Sequence, residues 1–257
     1  MGYHQVENAW IYCYFENMDH SSKSWTIGIH PTYTQRQHYK QPGTTYVRRN
    51  TDICRAAAEG GNVQVLKYLH TNGWQWDHMA CTAAARNGRL DCLEYAHQNG
   101  CDWNERTCSS ASSEGHLNCL QYAHNNGCPW DRQCTSSAAF KGHMDCLRYA
   151  HENNCPWDEW TCWSAAYSGS LECLQYAHTR GCPWDKSTCE YAARCGGKHG
   201  LACLEYAHLA GCPWDHQTTQ VARGKGGKDC FLYAMNNGCP IMDSICNQAI
   251  RKGWIEK

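Results

Sequence analysis

Tryptophan recurs in this chain at a fixed interval: Trp76, Trp103, Trp130, Trp157 and Trp184 stand 27 residues apart, and Trp214 follows after 30. Ile241 takes the next place, again 27 residues on. A sequence that repeats itself with a period of about 20–50 residues builds a stack of small units, each contacting its neighbours, instead of one globular core. Seven copies run between Thr51 and Pro240, and a half copy continues to Lys257. The 3-residue excess falls in Cys195–Gly200. Insertions into repeats usually map to loops, so a longer turn is expected there.

Inside one copy the signals describe two short antiparallel helices. The best-formed copy runs from Trp157 to Pro183. Asp158 is placed to cap the first helix, because its carboxylate accepts backbone N–H bonds and suits the positive helix end. The small residues Ala165 and Ala166 let a neighbouring helix approach, and Gly169 ends the helix. Leu171, Leu174 and Ala177 give the second helix its apolar stripe; Gly181 suits a left-handed C-cap, and Pro183 prevents continuation. A pair this small cannot bury its apolar face alone, and three or more copies are needed for stability. The fold class read from the chain is therefore all-α, a solenoid of stacked helix-turn-helix repeats.

The segment Thr161-Cys162-x-x-Ala165-Ala166-x-x-Gly169-x-Leu171-Glu172-Cys173-Leu174 resembles the ankyrin repeat, and Gly115-His116-Leu117 and Gly142-His143-Met144 keep that family's Gly-His. The resemblance extends from Thr51 onward. The ankyrin unit is about 33 residues, so this one is shorter, and the missing residues lie between Pro183 and the next helix, where ankyrins build a protruding hairpin. Short Cys-Pro-Trp-Asp repeats of this sort are similar to those abundant in proteins of large DNA viruses and unicellular eukaryotes. The resemblance implies protein binding without catalysis, although contacts made by hairpin fingertips do not carry over.

Residues 1–50 do not repeat. Trp10 to Phe15 and Trp25 to His30 are aromatic and β-branched runs around a polar turn, a hairpin pattern. His30 to Asn50 reads as an extended connector, and the segment as a whole as an N-terminal cap or a docking segment. The polar start lacks the apolar core of a signal peptide, and no apolar run approaches a membrane helix. With Lys+Arg 23 against Asp+Glu 24 and a net charge of -1, a general affinity for nucleic acid or anionic lipid is not expected. The 21 cysteines would mean a disulfide framework in a short secreted chain. Here they recur at fixed places in a repeat, where a free thiol serves as a small buried hydrophobe, so an intracellular reducing compartment, foremost the cytoplasm, is expected.

Positions that change between copies point to a binding surface. The first helix of repeat five carries Trp160, Trp163 and Tyr167, spaced three and four apart and so on one face. The same slots hold Met79, Thr82 and Arg86 in repeat two, then Arg106, Ser109 and Ser113, then Gln133, Ser136 and Phe140, and in repeat six Ser187, Glu190 and Arg194. Residues that differ between stacked copies are poor candidates for a shared core, so this stripe is expected to face outward. Phe140, Trp160, Trp163 and Tyr167, with Arg132, Gln133, Glu190 and Arg194 around them, form the candidate partner site, since exposed aromatic clusters concentrate binding energy. The repeated Trp reads as a packing wedge between units. The repeated His97, His124, His151, His178 and His208 sit near the end of the second helix, where a partial positive charge suits the dipole.

No cofactor is implied, and no catalytic motif stands out. Equivalent cysteines of adjacent copies should be about 8–10 Å apart, too far to share a zinc ion whose thiolates lie roughly 4 Å apart. Cys189, Cys195, His199 and Cys203, around the irregular turn, are the remaining metal candidates. Gly224-Lys225-Gly226-Gly227-Lys228-Asp229 lacks the glycine spacing of a phosphate loop. These features favour a non-catalytic adaptor for a protein partner. A structural subunit of a larger assembly, anchored by residues 1–50, and a zinc-binding repeat protein are the alternatives.

Overall fold

The computed structural model describes residues 10–15, 25–30, 50–224 and 227–256. Two strands, β1 (Trp10–Phe15) and β2 (Trp25–His30), pair antiparallel with Trp10 opposite His30 and Phe15 opposite Trp25, as the hairpin pattern predicts. The cap-or-docking reading of residues 1–50 and the connector to Asn50 otherwise lie outside the described residues, as do Lys225 and Gly226.

The repeats form seven helix pairs and one further helix. The pairs are α1 (Asn50–Gly60) with α2 (Val63–Thr71), α3 (His78–Arg86) with α4 (Leu90–Gln98), and α5 (Glu105–Ser113) with α6 (Leu117–Asn125). They continue as α7 (Arg132–Lys141) with α8 (Met144–Glu152), α9 (Glu159–Ser168) with α10 (Leu171–Thr179), and α11 (Lys186–Cys195) with α12 (Gly197–Leu209). Then come α13 (His216–Val221) with α14 (Lys228–Asn236), and finally α15 (Asp243–Arg251). First helices pack on first helices in one row and second helices on second helices in another.

The first helices from α3 to α13 are each started by a side chain. Asp77, Asn104, Asp131, Asp158, Asp185 and Asp215 accept from the backbone N–H two residues on, and each such cap contributes about 1 kcal/mol. Gly169 closes α9 in the left-handed region (φ 75), where a β-carbon would also come within 2.6 Å of His199 Cβ. The core between the rows is made of the repeated small and branched residues. Leu93, Leu120, Leu147, Leu174 and Leu204 are fully buried, one per unit, each stabilising by about 1.5–3 kcal/mol.

A repeated thiol bond closes each unit, and repeated ring contacts join it to the next. The cysteine that opens the Cys-Pro-Trp-Asp segment is buried, and its thiol donates to the carbonyl of the residue that caps the first helix of its own unit: Cys155 to Asp131, Cys182 to Asp158, Cys239 to Asp215, each at 3.2 Å. Beside it the repeated Trp stacks on the His of the preceding second helix, with ring centroids 3.8 Å apart for His124–Trp130 and 3.9 Å for His151–Trp157. The same imidazole reaches through Nδ1 to a tyrosine hydroxyl of the next unit, His124 to Tyr149 and His151 to Tyr176, both at 2.9 Å. A neutral imidazole accepts the tyrosine proton at that nitrogen. The tryptophan is thus a wedge between units, as its spacing implies.

The histidines differ from the sequence reading. A helix C-terminus favours the charged form, yet burial holds His97, His124 and His151 below their ordinary value of 6.5. Arg180 adds to the effect at His151, opposed by Glu152. Desolvation against Trp and Tyr rings outweighs the helix dipole here.

The three extra residues of repeat six also go elsewhere than a turn. They lengthen the second helix: α12 has 13 residues where α10 has 9. Gly200 allows this, because its α-carbon lies where a side chain would strike the Ala192 carbonyl, 2.5 Å from a β-carbon.

The structure leads to three expectations. Since the folded-state pKa of His97, His124 and His151 lies below the unfolded value, the unfolded chain binds more protons between the two. Stability is full above about pH 6.5 and falls as pH drops through that value; urea midpoints followed by circular dichroism will be lower at about pH 5 than at about pH 7.5, and His124→Gln with His151→Gln will narrow the gap. Asn154 occupies the left-handed position (φ 64) that Gly181 holds one unit later, so Asn154→Gly will stabilise by about 0.5–1 kcal/mol, read from the same urea curves. Finally, among the described cysteines only Cys195 and Cys246 are more than marginally exposed, while burial pushes the Cys146 and Cys203 thiols up to about 12. Alkylation of the native chain, mapped by mass spectrometry, will modify Cys195 and Cys246 first and the buried set only on unfolding.

Candidate functional site

The variable stripe lies along the row of first helices, and its outer two slots are never buried. Arg86, Arg106, Gln133, Phe140, Trp160, Tyr167 and Arg194 are all exposed. The middle slot departs from the expectation that the whole stripe faces outward. Thr82 and Ser109 are buried at 3% and 7% exposure, sunk between neighbouring first helices, with the Thr82 hydroxyl donating to the His78 carbonyl at 2.9 Å. In the later copies the residue at this slot is half-buried, whether small, as Ser136, or larger or charged, as Trp163 and Glu190.

Repeats four to six bring the candidate aromatic residues into one contiguous cluster. Phe140 on α7 stacks on Tyr167 on α9, with centroids 5.9 Å apart. Trp160 and Trp163 lie 5.2 Å apart one helical turn away. Tyr191 on α11 joins the two halves, 5.8 Å from both Trp163 and Tyr167. The sequence reading missed Tyr191 because it lies beside the stripe. The signal was there: the equivalent slots hold Ala83, Ser110, Ser137 and Ser164, so a large ring at a place of small residues marks the exception. Three rings remain far more open than core residues, Trp160 at 51% exposure, Tyr167 at 43% and Phe140 at 41%.

The charged residues around the cluster are held by short contacts, most of them across units. Arg132 extends from α7 over the Trp160 ring, 5.9 Å from its centre, and donates to Asp158 at 2.7 Å. Lys186 donates to Asp215 at 2.8 Å, and this bond holds the Asp215 carboxyl below its ordinary range. Trp163 donates its indole N–H to Asp185 at 2.8 Å, which fixes the ring's orientation. Arg194 bonds Glu190 at 3.3 Å and covers the Tyr191 ring at 5.5 Å. Gln133 stands exposed at the edge, beside Arg132. The result is a rigid aromatic surface whose nearby cations are mostly neutralised, suited to burying apolar groups of another molecule.

The metal candidates are not brought together in this way. Cys189 and Cys203 are buried in the framework, Cys195 is half-buried, and His199 is exposed beside Gly169. Among the described residues no group of three or more His, Cys, Asp or Glu has a geometry for an ion. Nor is any described helix long and apolar enough to cross a membrane.

Comparison with known proteins bears on the helical array. Residues 53–97 and 78–124 match the family model described as ankyrin repeats in many copies. Among solved structures, the crystal structure of the human ASB11 ankyrin repeat domain is similar in fold, with a TM-score of 0.56 at 15% identity, covering 74% of this chain and 99% of that one. No curated protein matches the sequence. Residues 53–124 thus carry sequence that matches the ankyrin-repeat family model, and the helical array is similar in fold to an ankyrin repeat domain.

Proposed function

We propose that the chain is a non-catalytic adaptor that holds a protein partner against the first-helix face of repeats four to six. Ankyrin repeats are in general protein-interaction modules. One observation carries the reading to this face: Phe140, Trp160 and Tyr167 stay more than two-fifths exposed within one contiguous aromatic cluster. Aromatic side chains in such a cluster lose little conformational freedom on binding and supply large apolar area. Cross-unit bonds from Arg132 to Asp158 and from Trp163 to Asp185 pre-order the surface, which lowers the cost of association. The thiol-rich framework suits a reducing compartment, and we place the adaptor there.

The test is direct. Trp160→Ala with Trp163→Ala will weaken capture of the partner that co-purifies with the chain by about 2 kcal/mol or more, roughly thirtyfold in affinity, read by biolayer interferometry. Far-UV circular dichroism will stay unchanged, because neither ring is part of the buried framework. Capture at wild-type strength would reject this siting.

A further inference from the structure

The positive charge on this face is unevenly spread. Around the aromatic cluster the cations have carboxylate partners, Arg132 with Asp158, Lys186 with Asp215 and Arg194 with Glu190. Further along the row, α11, α13 and α15 enclose an open cleft of about 490 Å³ lined by Arg194, Arg223 and Lys252 together with Gln220 and Gln248. No carboxylate is among its described lining residues. Arg223 donates through Nε to the Gln220 carbonyl and through Nη1 to Gln248 Oε1, both at 2.7 Å, and Lys252 donates to the Arg223 carbonyl at 2.7 Å. Those acceptors are neutral. They fix the two cations in place without cancelling their charge, and the chain as a whole, at -1, has no basic excess to explain the cluster.

Arg194 borders both regions, covering Tyr191 on one side and lining the cleft on the other. We propose that the docking face takes an acidic peptide segment, its apolar side chains on the aromatic cluster and its carboxylates in the cleft between α11, α13 and α15. This rests on the docking face proposed above and adds the chemistry of the occupant. A guanidinium held by neutral groups presents its remaining N–H donors to a carboxylate. Two steps of first-helix packing, at about 8–10 Å each, separate α9 from α13. An extended segment therefore places its apolar anchor about five or six residues from its acidic end. A single-stranded nucleic acid is the poorer fit, since it needs cations along the whole stacking platform. Here Asp158, Asp185 and Glu190 are interleaved with the rings.

The experiment uses the full chain and fluorescent peptides of about a dozen residues, sharing one Trp/Leu-containing half and ending in a run of Glu, of Ser or of Lys, with oligothymidylate of similar length as a fourth probe. The Glu-ended peptide will bind about tenfold more tightly than the Ser-ended one by fluorescence polarisation, and the Lys-ended one most weakly. Arg223→Gln with Lys252→Gln will erase the Glu preference and leave Ser-ended binding unchanged, with circular dichroism verifying the fold. Trp160→Ala will weaken all three peptides alike. Equal binding of the three, or none by any, overturns the acidic-segment inference while leaving partner capture through Trp160 and Trp163 to stand on its own test. A Glu preference that survives Arg223→Gln/Lys252→Gln overturns the cleft assignment, and tighter binding of oligothymidylate overturns the peptide in favour of nucleic acid. A Glu preference intact when Trp160→Ala has no effect would instead remove the aromatic face from the docking site.

Discussion

The solenoid depends on the joint between successive units. The thiol that closes each unit donates to the carbonyl of the residue capping that unit's own first helix, so one carbonyl oxygen ties helix initiation to the chain reversal that leads into the next unit. Around that bond an imidazole is held between an indole face and a phenol hydroxyl. A unit of 27 residues has little apolar area of its own, and stacking supplies what a single core would otherwise provide. Where the thiol and imidazole are present their hydrogen bonds must be satisfied, since a buried donor left without a partner costs about 1–3 kcal/mol. This accounts for the uniformity of the Cys, His, Trp and Tyr slots better than any binding role does.

Uniform joints leave the remaining slots free to vary, and that division made most of the fold readable from the chain. The Trp spacing gave the number of units, Asp158 and its equivalents marked the helix starts, and the small pairs such as Ala165-Ala166 marked the packed faces. What escaped was what depends on partners distant in sequence. The tyrosines of the joint recur as regularly as the histidines, but a period alone does not say that Tyr149 reaches back to His124. The charge preference of the histidines was misjudged for the same reason: a helix end is visible in sequence, whereas the two rings that dehydrate the imidazole are not. The inserted residues of repeat six read as turn because turn is where most insertions go, whereas Gly200, which lets a helix begin early against Ala192, has no signal apart from its neighbours.

The aromatic face shows the same boundary. That Trp160, Trp163, Tyr167 and Phe140 share a side followed from helical spacing within one copy and identical stacking between copies. Their union through Tyr191 did not, because Tyr191 lies off the stripe and joins only when α11 is laid against α9. The middle slot is not an outward position in repeats two and three, where Thr82 and Ser109 are enclosed, although Ser136, equally small, is half-buried one repeat later. Variation in sequence thus marked the row correctly but not the depth at which each member sits.

The longer sixth unit bears on how such arrays can change length. His178 and Tyr206 are 28 residues apart where the other pairs are 25, yet their hydrogen bond is 2.8 Å, within the same narrow range. Additional chain absorbed at the start of a second helix leaves the register on either side intact, so this point is a seam where residues can be gained or lost without the interfaces noticing. Insertions tolerated there would vary the breadth of individual units while preserving the spacing of the surface they share.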